Sequence, residues 1–340
     1  MKILYIGQFT EGTTSKMRAQ RLKLICNCSV FDILDTHIPF FKTKQPFRSL
    51  GFKYKIGPLV KNTNEFIKSK LKKLQYDIIW IDKGVYMNSS TMSLLRSKTD
   101  CLVHFTPDPA FAFHKSKLFN KSIAYYDFLI TTKSYEMSDY HEHTSLNNVI
   151  LTTQGFDKNL HKPKMENFKN KTGFLFIGHH EDEREEIIQA LLDARVSITL
   201  AGIRWENFYQ KNKTNPKLNY LGNGIYGENY VKEIQNAKIG WGAISKWVPE
   251  LHTTRTFEIP ACGTALLTEK NNETSKFFTD SDVIFYESKK TLIDKTIHYL
   301  KFDEDLQRIT LNGLNSVNKN GFDYDSILKK ILNEINLIMT

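Results

Sequence analysis

The sequence predicts an α/β protein built of two doubly wound, Rossmann-like domains, with helices at its C-terminal end. Three observations predict it. The chain has 340 residues, too many for one typical hydrophobic core, so two domains of roughly 150 residues are expected. Strand-like apolar runs alternate with stretches whose apolar residues recur three and four apart, the signature of parallel βα units. The alternation is interrupted once, by a polar tract over 152–173 holding two glycines and a proline, and then restarts.

In chain order, the first half offers strands at 2–7 (KILYIG), 77–82 (DIIWID), 101–105 (CLVHF), 127–132 (DFLITT) and 148–153 (NVILTT). Helical spacing falls at 15–25 and 64–74. The tract 152–173 reads as a linker. The second half offers strands at 173–178 (GFLFIG), 196–202 (VSITLAG), 237–244 (AKIGWGAI), 264–268 (TALLT) and 282–286 (DVIFY). Its helices fall at 184–194 and 228–237, and three more close the chain at 289–300, 304–317 and 324–338. The resulting division is 1–155, 156–322 and a last helix over 323–340, a candidate to pack back on the first domain. Ligands of doubly wound sheets bind outside the carboxyl ends of the strands, so a cleft between the two domains is the expected site.

Composition narrows the class. The chain is 41% hydrophobic and 25% charged, as in soluble globular proteins. It has no apolar run near the roughly 18 residues that a membrane span needs. Residues 1–7 are too short for the apolar region of a signal peptide and read as a first strand. Of four cysteines, Cys26 and Cys28 are too close together to staple a fold, and Cys101 and Cys262 sit in apolar stretches. Buried thiols in a reducing cytosol follow. A cytoplasmic protein is expected, with peripheral attachment to the inner face of the membrane as a candidate refinement.

The charge is uneven. Residues 1–155 carry 22 Lys+Arg and 12 Asp+Glu, a net of +10, whereas 156–340 carry 25 of each. Residues 42–73 hold ten basic residues and one acid, Glu65. Such a segment suits an anionic membrane surface, an acidic glycan or, as a weaker candidate, nucleic acid. It equally suits a solvated face with no partner.

Two strand ends could meet phosphate. In FLFIGHHEDEREE a strand ends at Gly178, and a helix begins near Arg184. Glycine lets backbone approach a ligand, free N–H groups at a helix start favour anions, and Arg184 could clamp a diphosphate. The acids around Arg184 also suit a helix N-terminus without any ligand. The second loop, GQFTEGTTSKMR over 7–18, contains Gly12 but lacks both the G-x-G-x-x-G and the G-K-[ST] spacing of the common nucleotide folds. In ELHTTRTFEIPACGTALLTE, residues 250–269, Glu250 and Glu258 bracket seven residues that include Arg255. A carboxylate at Glu258 could accept two sugar hydroxyls, or could be no more than a first-turn acid. Metal is not expected, because His179 and His180 are adjacent and His141 and His143 lack a third ligand.

The last stretch carries a resemblance. HTTRTFEIPACGTALLTE resembles the C-terminal domain of spore-maturation-protein-B-like (CgeB-like) glycosyltransferases, within the retaining GT-B group, which carries a Glu-x7-Glu motif. FLFIGHHEDER, VSITLAGIRW, YLGNGIYGENYVKEIQNAKIGW and TEKNNETSKFF follow the family's order, and YDIIWIDKG, HFTPDP and YYDFLITTKSYEMSDY in the first half are similar but less specific. The resemblance implies a GT-B fold and a metal-independent glycosyltransferase. It implies a nucleotide-diphosphate-sugar donor, UDP-sugar first and GDP-sugar second, and no required cofactor. Glu258 would hold the ribose, Glu250 would face the donor sugar, and Arg184 would contact the diphosphate beside Gly178. Loops at Gly202 and Tyr226 would meet the base. His179 stands where many relatives have a basic residue, and Lys246 or Arg255 could compensate. Asp108, His104 and Lys83 are candidates to meet a glycan or lipid-linked acceptor, and the Gly12 loop is a further candidate ligand contact. Two other readings are a DNA-modifying glycosyltransferase and a sugar-nucleotide-binding protein without turnover.

Overall fold

The structure, a computed structural model, describes residues 1–112, 114–163 and 168–339. It contains two compact units, Met1–Thr153 with Tyr324–Thr340 and Gln154–Asp323. The first unit has six strands: β1 (Lys2–Gly7), β2 (Val30–Asp35), β3 (Ile78–Asp82), β4 (Leu102–Thr106), β5 (Phe128–Thr131) and β6 (Val149–Leu151). They lie in the order β2-β1-β3-β4-β5-β6, and every pair is parallel. The second unit has β7 (Thr172–Ile177), β8 (Ile198–Ala201), β9 (Leu218–Tyr220), β10 (Ala237–Trp241), β11 (Ala265–Glu269) and β12 (Ile284–Tyr286), in the order β12-β11-β10-β7-β8-β9. These strands too are all parallel.

The strand residues explain the layers. A parallel sheet is covered on both faces, so its central strands read as unbroken apolar runs. The period of two then divides each run between two cores. Leu4, Ile6, Ile79 and Ile81 enter one core of the first unit, and Ile3, Tyr5, Ile78 and Trp80 enter the other. In the second unit Phe174, Phe176, Ile239 and Trp241 lie on one face, and Leu175, Leu266 and Phe285 on the other. The helix Tyr324–Met339 covers the second core of the first unit. Tyr324, Ile327, Leu328, Ile331 and Ile335 recur three and four apart and pack with Ala19 and Leu22. Arg21 grips Asp325 at its start, with Nη2 donating over 2.6 Å.

Chain direction across each sheet reverses once. In the first unit the path runs from β1 outward to β2, then returns to β3; in the second it runs from β7 to β8 and β9, then returns to β10. The points between β1 and β3 and between β7 and β10 are the topological switch points, where the loops at the strand ends part and leave room for a ligand.

Three expectations are corrected. β2 and β9 were not expected, and both are sheet edges. β2 carries two aspartates, and β9 has only three residues. The basic stretch is helical well before residue 64, forming His37–Lys42, Phe47–Tyr54 and Pro58–Lys70. The tract 152–173 is not a free linker. Phe156 is 1% exposed within the second unit's core, and Gln154, Asp157 and His161 are buried. Residues 164–167 of that tract, like Thr340 of the last helix, lie outside the described residues. All four cysteines are free, with Cys101 and Cys262 buried but Cys26 and Cys28 only half-buried.

Candidate functional site

The strand ends of the second unit gather a cation-rich cluster at the switch point. Gly178 and Gly202 bring the ends of β7 and β8 together. A Cβ at Gly202 would lie 1.8 Å from the Gly178 carbonyl oxygen, and its φ of +145° is one that side chains rarely adopt. Trp205, fully buried, donates from Nε1 to that same carbonyl over 2.9 Å. The chain then enters the helix Asp182–Asp193, which carries Arg184 in its first turn.

Glu181 organises this corner. Its carboxylate meets Arg184 Nη2 at 2.9 Å and His179 Nε2 at 2.8 Å, and Ser245 Oγ donates to it over 3.0 Å. Arg184 also donates from Nη1 to the His179 carbonyl over 2.9 Å. Arg184 is 3% exposed, and burial, with Arg255 nearby, pulls its guanidinium down to about 10 against the pull of Glu181. Burial and the neighbouring Arg184 lower the His179 imidazole as well. Arg184 is therefore a braced group rather than a free clamp, and Glu181, whose role the sequence reading missed, braces it. The Glu181/Arg184 spacing of three on one helix turn was the available signal.

Arg255 differs. It opens the helix Arg255–Ala261, its charge is felt by both Arg184 and His179, and its Nε is buried without a hydrogen-bond partner. A buried guanidinium N–H left unpaired is costly, and an anionic oxygen would satisfy it. On the same helix Glu258 is 4% exposed. Its Oε2 accepts from the Tyr230 hydroxyl over 2.6 Å, while Oε1 lies 3.6 Å from His161 Nε2, beyond hydrogen-bond distance. Oε2 is thus engaged by Tyr230, and Oε1 is the oxygen left open to a ligand hydroxyl. Glu250 sits half-buried on the loop after β10, within electrostatic reach of Arg184.

The remaining expected donor residues are more dispersed. Lys246 pairs with Glu269 at 2.5 Å and is half-exposed. Tyr226 is 68% exposed, directly before the helix Gly227–Asn236. Trp247, another exposed ring, lies 4.6 Å from the His179 ring, with the Arg204 guanidinium 5.8 Å from its centroid. It supplies a stacking surface that sequence reasoning missed.

The first unit has a pocket of its own, with a cavity of about 240 Å³ at the ends of β1 to β4. Lys83 and Asp108 meet in it at 2.6 Å, with His114 Nε2 3.3 Å from the same carboxylate oxygen. Burial alone would raise the Asp108 carboxyl, but Lys83 and His114 hold it well below the usual range. Behind them Asp82 is buried, and its Oδ2 accepts from Arg18 Nη2 at 2.6 Å and from the Tyr5 hydroxyl at 2.9 Å. Its Oδ1 has no partner. Lys83 has φ +70°, in the left-handed region, and leads into Gly84 at φ +57°. His104 fixes this turn, donating from Nε2 to the Lys83 carbonyl over 3.0 Å. His104 is 0% exposed between Phe119 and Tyr126, so it positions Lys83 and cannot itself touch a ligand, contrary to expectation. Gly12 lies at φ +78° in the loop before the helix Thr14–Ile25 and does not line the pocket.

Among the described residues no group of three or more His, Cys, Asp and Glu is placed to hold a metal ion. No helix among them is long and apolar enough to cross a membrane.

With this geometry in view, comparison with known proteins is informative. Residues 181–333 match the family described as "Glycosyl transferase-like". No curated protein matches the sequence. Sucrose-phosphate synthase from Thermosynechococcus elongatus superposes with a TM-score of 0.74 at 12% identity, covering 100% of this chain and 99% of that one. Anabaena HepE, in complex with UDP-glucose, gives 0.66 at 14% identity, with 99% of each chain covered. A UDP-forming α,α-trehalose-phosphate synthase from Burkholderia xenovorans gives 0.63 at 10% identity, with 100% of each covered. The chain has the GT-B fold, and the family match supports a glycosyltransferase.

Proposed function

We propose that the chain is a GT-B glycosyltransferase that binds a nucleotide-diphosphate sugar at the strand ends of its second unit and transfers the sugar to a glycan, lipid-linked or other envelope acceptor. The observation that carries this is the cluster of Arg184, Arg255 and His179 at the β7/β10 switch point, with the Arg255 Nε buried and unpaired. Glu181 already meets Arg184 and His179, and a diphosphate would supply the anionic oxygen that the Arg255 Nε lacks. HepE, whose complexes hold UDP-glucose and UDP, supports a UDP-sugar donor, with GDP-sugar second.

The roles follow from the chemistry. Arg255, and behind it Arg184, would stabilise the diphosphate as charge develops on the leaving group. His179 follows Gly178 at the phosphate end. Glu258 would hold the ribose chiefly through Oε1, with Oε2 held by Tyr230. Glu250 would position the donor sugar, a contribution of orientation rather than acid–base chemistry. Gly202 and Tyr226 would border the base, and Lys246 would add charge at the rim. In the first unit Lys83 and Asp108 would meet the acceptor. The transfer would proceed with retention and without a metal.

Turnover separates this proposal from a protein that only binds a sugar nucleotide. Release of UDP from a panel of UDP-sugars, and of GDP from GDP-sugars, is expected for one donor, with chelator present. Glu250→Gln should lower that rate about 100-fold while changing nucleotide affinity by less than about threefold. Equal rates in the two proteins would remove Glu250 from the site. Tight nucleotide binding with no release from any donor would make the chain a binding protein.

A further inference from the structure

The helices between β2 and β3 carry an exposed surface that the donor site does not use. Ile38, Phe41, Phe47, Leu50, Tyr54 and Ile56 are each between 49% and 64% exposed. They lie on the helices His37–Lys42 and Phe47–Tyr54 and the turn that follows. Folding turns a different face inward, for a Cβ at Gly51 would stand 2.5 Å from the Leu59 Cβ of the helix Pro58–Lys70. That glycine lets the second helix lie flat on the third and leaves its large residues outside.

Cations are interleaved with the apolar groups. Lys42, Lys44 and Lys53 are exposed. The Arg48 guanidinium lies 5.7 Å from both the Phe40 and Phe41 ring centroids, and Lys53 Nζ lies 5.1 Å from that of Tyr54. Residues 36–64 contain no Asp or Glu. Apolar groups flanked by Lys and Arg, with aromatic rings among them, match the interfacial layer of an anionic bilayer. A nucleic-acid backbone would use the cations but not the exposed aliphatic residues Ile38, Leu50 and Ile56.

The same helices wall the first unit's pocket. His37, Phe40 and Phe52 line it together with Lys83 and Asp108. The ion pairs inside are internally balanced, so the pocket suits an uncharged polar head with an apolar flank, and the surrounding surface suits a hydrocarbon chain.

We propose that residues 37–56 dock on an anionic phospholipid surface and that the acceptor is an amphiphile whose head group enters the adjoining pocket. The acceptor half of this rests on the transferase reading; the docking half does not.

The full chain is sedimented with vesicles of phosphatidylcholine alone and with one-third phosphatidylglycerol. Binding is expected only to the anionic vesicles. It should weaken about tenfold or more in a Phe41→Ser/Phe47→Ser/Leu50→Ser variant and, separately, in a Lys42→Glu/Lys44→Glu/Lys53→Glu variant. Each variant's far-UV circular dichroism and chemical-denaturation midpoint, unchanged from the parent, show that the first unit still folds. If the apolar variant misfolds, the charge variant carries the test. No binding to anionic vesicles, equal binding to both vesicle types, undiminished binding by either folded variant, or displacement of vesicles by equimolar duplex DNA would each overturn docking. Donor consumption should rise about tenfold more with an alkyl glycoside below its micellar concentration than with the free sugar. Equal stimulation would overturn the amphiphile while leaving the donor reading intact.

Discussion

Both units are doubly wound parallel sheets with one switch point each, reached after one outward strand in the first and two in the second, and they place different electrostatics there. In the first unit, whose residues carry the whole excess of positive charge, the switch point is balanced: Lys83 faces Asp108, and Arg18 faces Asp82. The excess lies outside, on the helices between β2 and β3. In the second unit, where Lys+Arg and Asp+Glu cancel, the switch point holds Arg184, paired with Glu181, within electrostatic reach of Arg255, whose Nε is buried without a partner. A site's charge is set by which side chains fold beside it, and the net charge of its domain describes the surface. On the proposals above, the first unit's interior would take a neutral head group and the second's a diphosphate.

The largest expected effect lies in the balanced unit. Arg18 and Asp82 are both 1% exposed in their side chains. Asp82→Ala should cost about 3–5 kcal/mol in chemical denaturation, because it strands a buried guanidinium. A cost below about 1 kcal/mol would mean that water reaches Arg18 and that the two switch points are less different than their geometry.

His104 gives the next. Burial pushes its imidazole down to about 4, from roughly 6.5 in an unfolded chain. The folded value is the lower one, so the unfolded chain binds the proton first. Stability is full above about pH 6.5 and falls as pH drops toward about 4, by on the order of 3 kcal/mol. His104→Gln should flatten that part of the stability–pH curve, whatever it does to the absolute stability. An unchanged slope would show that other groups govern the acid limb.

In the second unit, Glu258→Gln should weaken UDP binding about tenfold, roughly 1.4 kcal/mol, with little change in the unfolding midpoint. The smallest effect on binding is expected from Tyr230→Phe. It removes the hydroxyl held by Glu258 Oε2, which should cost about 1–2 kcal/mol of stability yet leave UDP affinity equal or higher by calorimetry. A loss of affinity would place the Tyr230 hydroxyl on the ligand and move Glu258 behind it.

Much of the fold was legible because parallel strands buried on both faces announce themselves. IIWID and FLFI could hardly be anything else. The sheet edges were harder to read. β2 carries Asp32 and Asp35, since a half-exposed strand tolerates charge, and β9 is too short to show a period. The site was legible as residue types and less so as pairings. Arg184 was picked out by its place after Gly178, but its engagement by Glu181 depends on a fold that also brings in Ser245 from 64 positions away. The unpaired Arg255 Nε and the positioning role of His104 depend on burial, which local spacing does not report. The apolar half of the 37–56 surface was hidden for the opposite reason. Phenylalanines and leucines among lysines read as an ordinary amphipathic core face, and only the packing of Gly51 on Leu59 turns them outward.

On the proposed function, the second unit's strand ends are an anion site that a nucleoside diphosphate would complete. Calorimetric titration of UDP, then GDP, into the full chain and into Arg255→Ala, with chelator present, tests it most directly. Saturable one-to-one binding of one of them is expected, weakened about tenfold or more by the substitution. No binding of either, or equal affinity in both proteins, would contradict it.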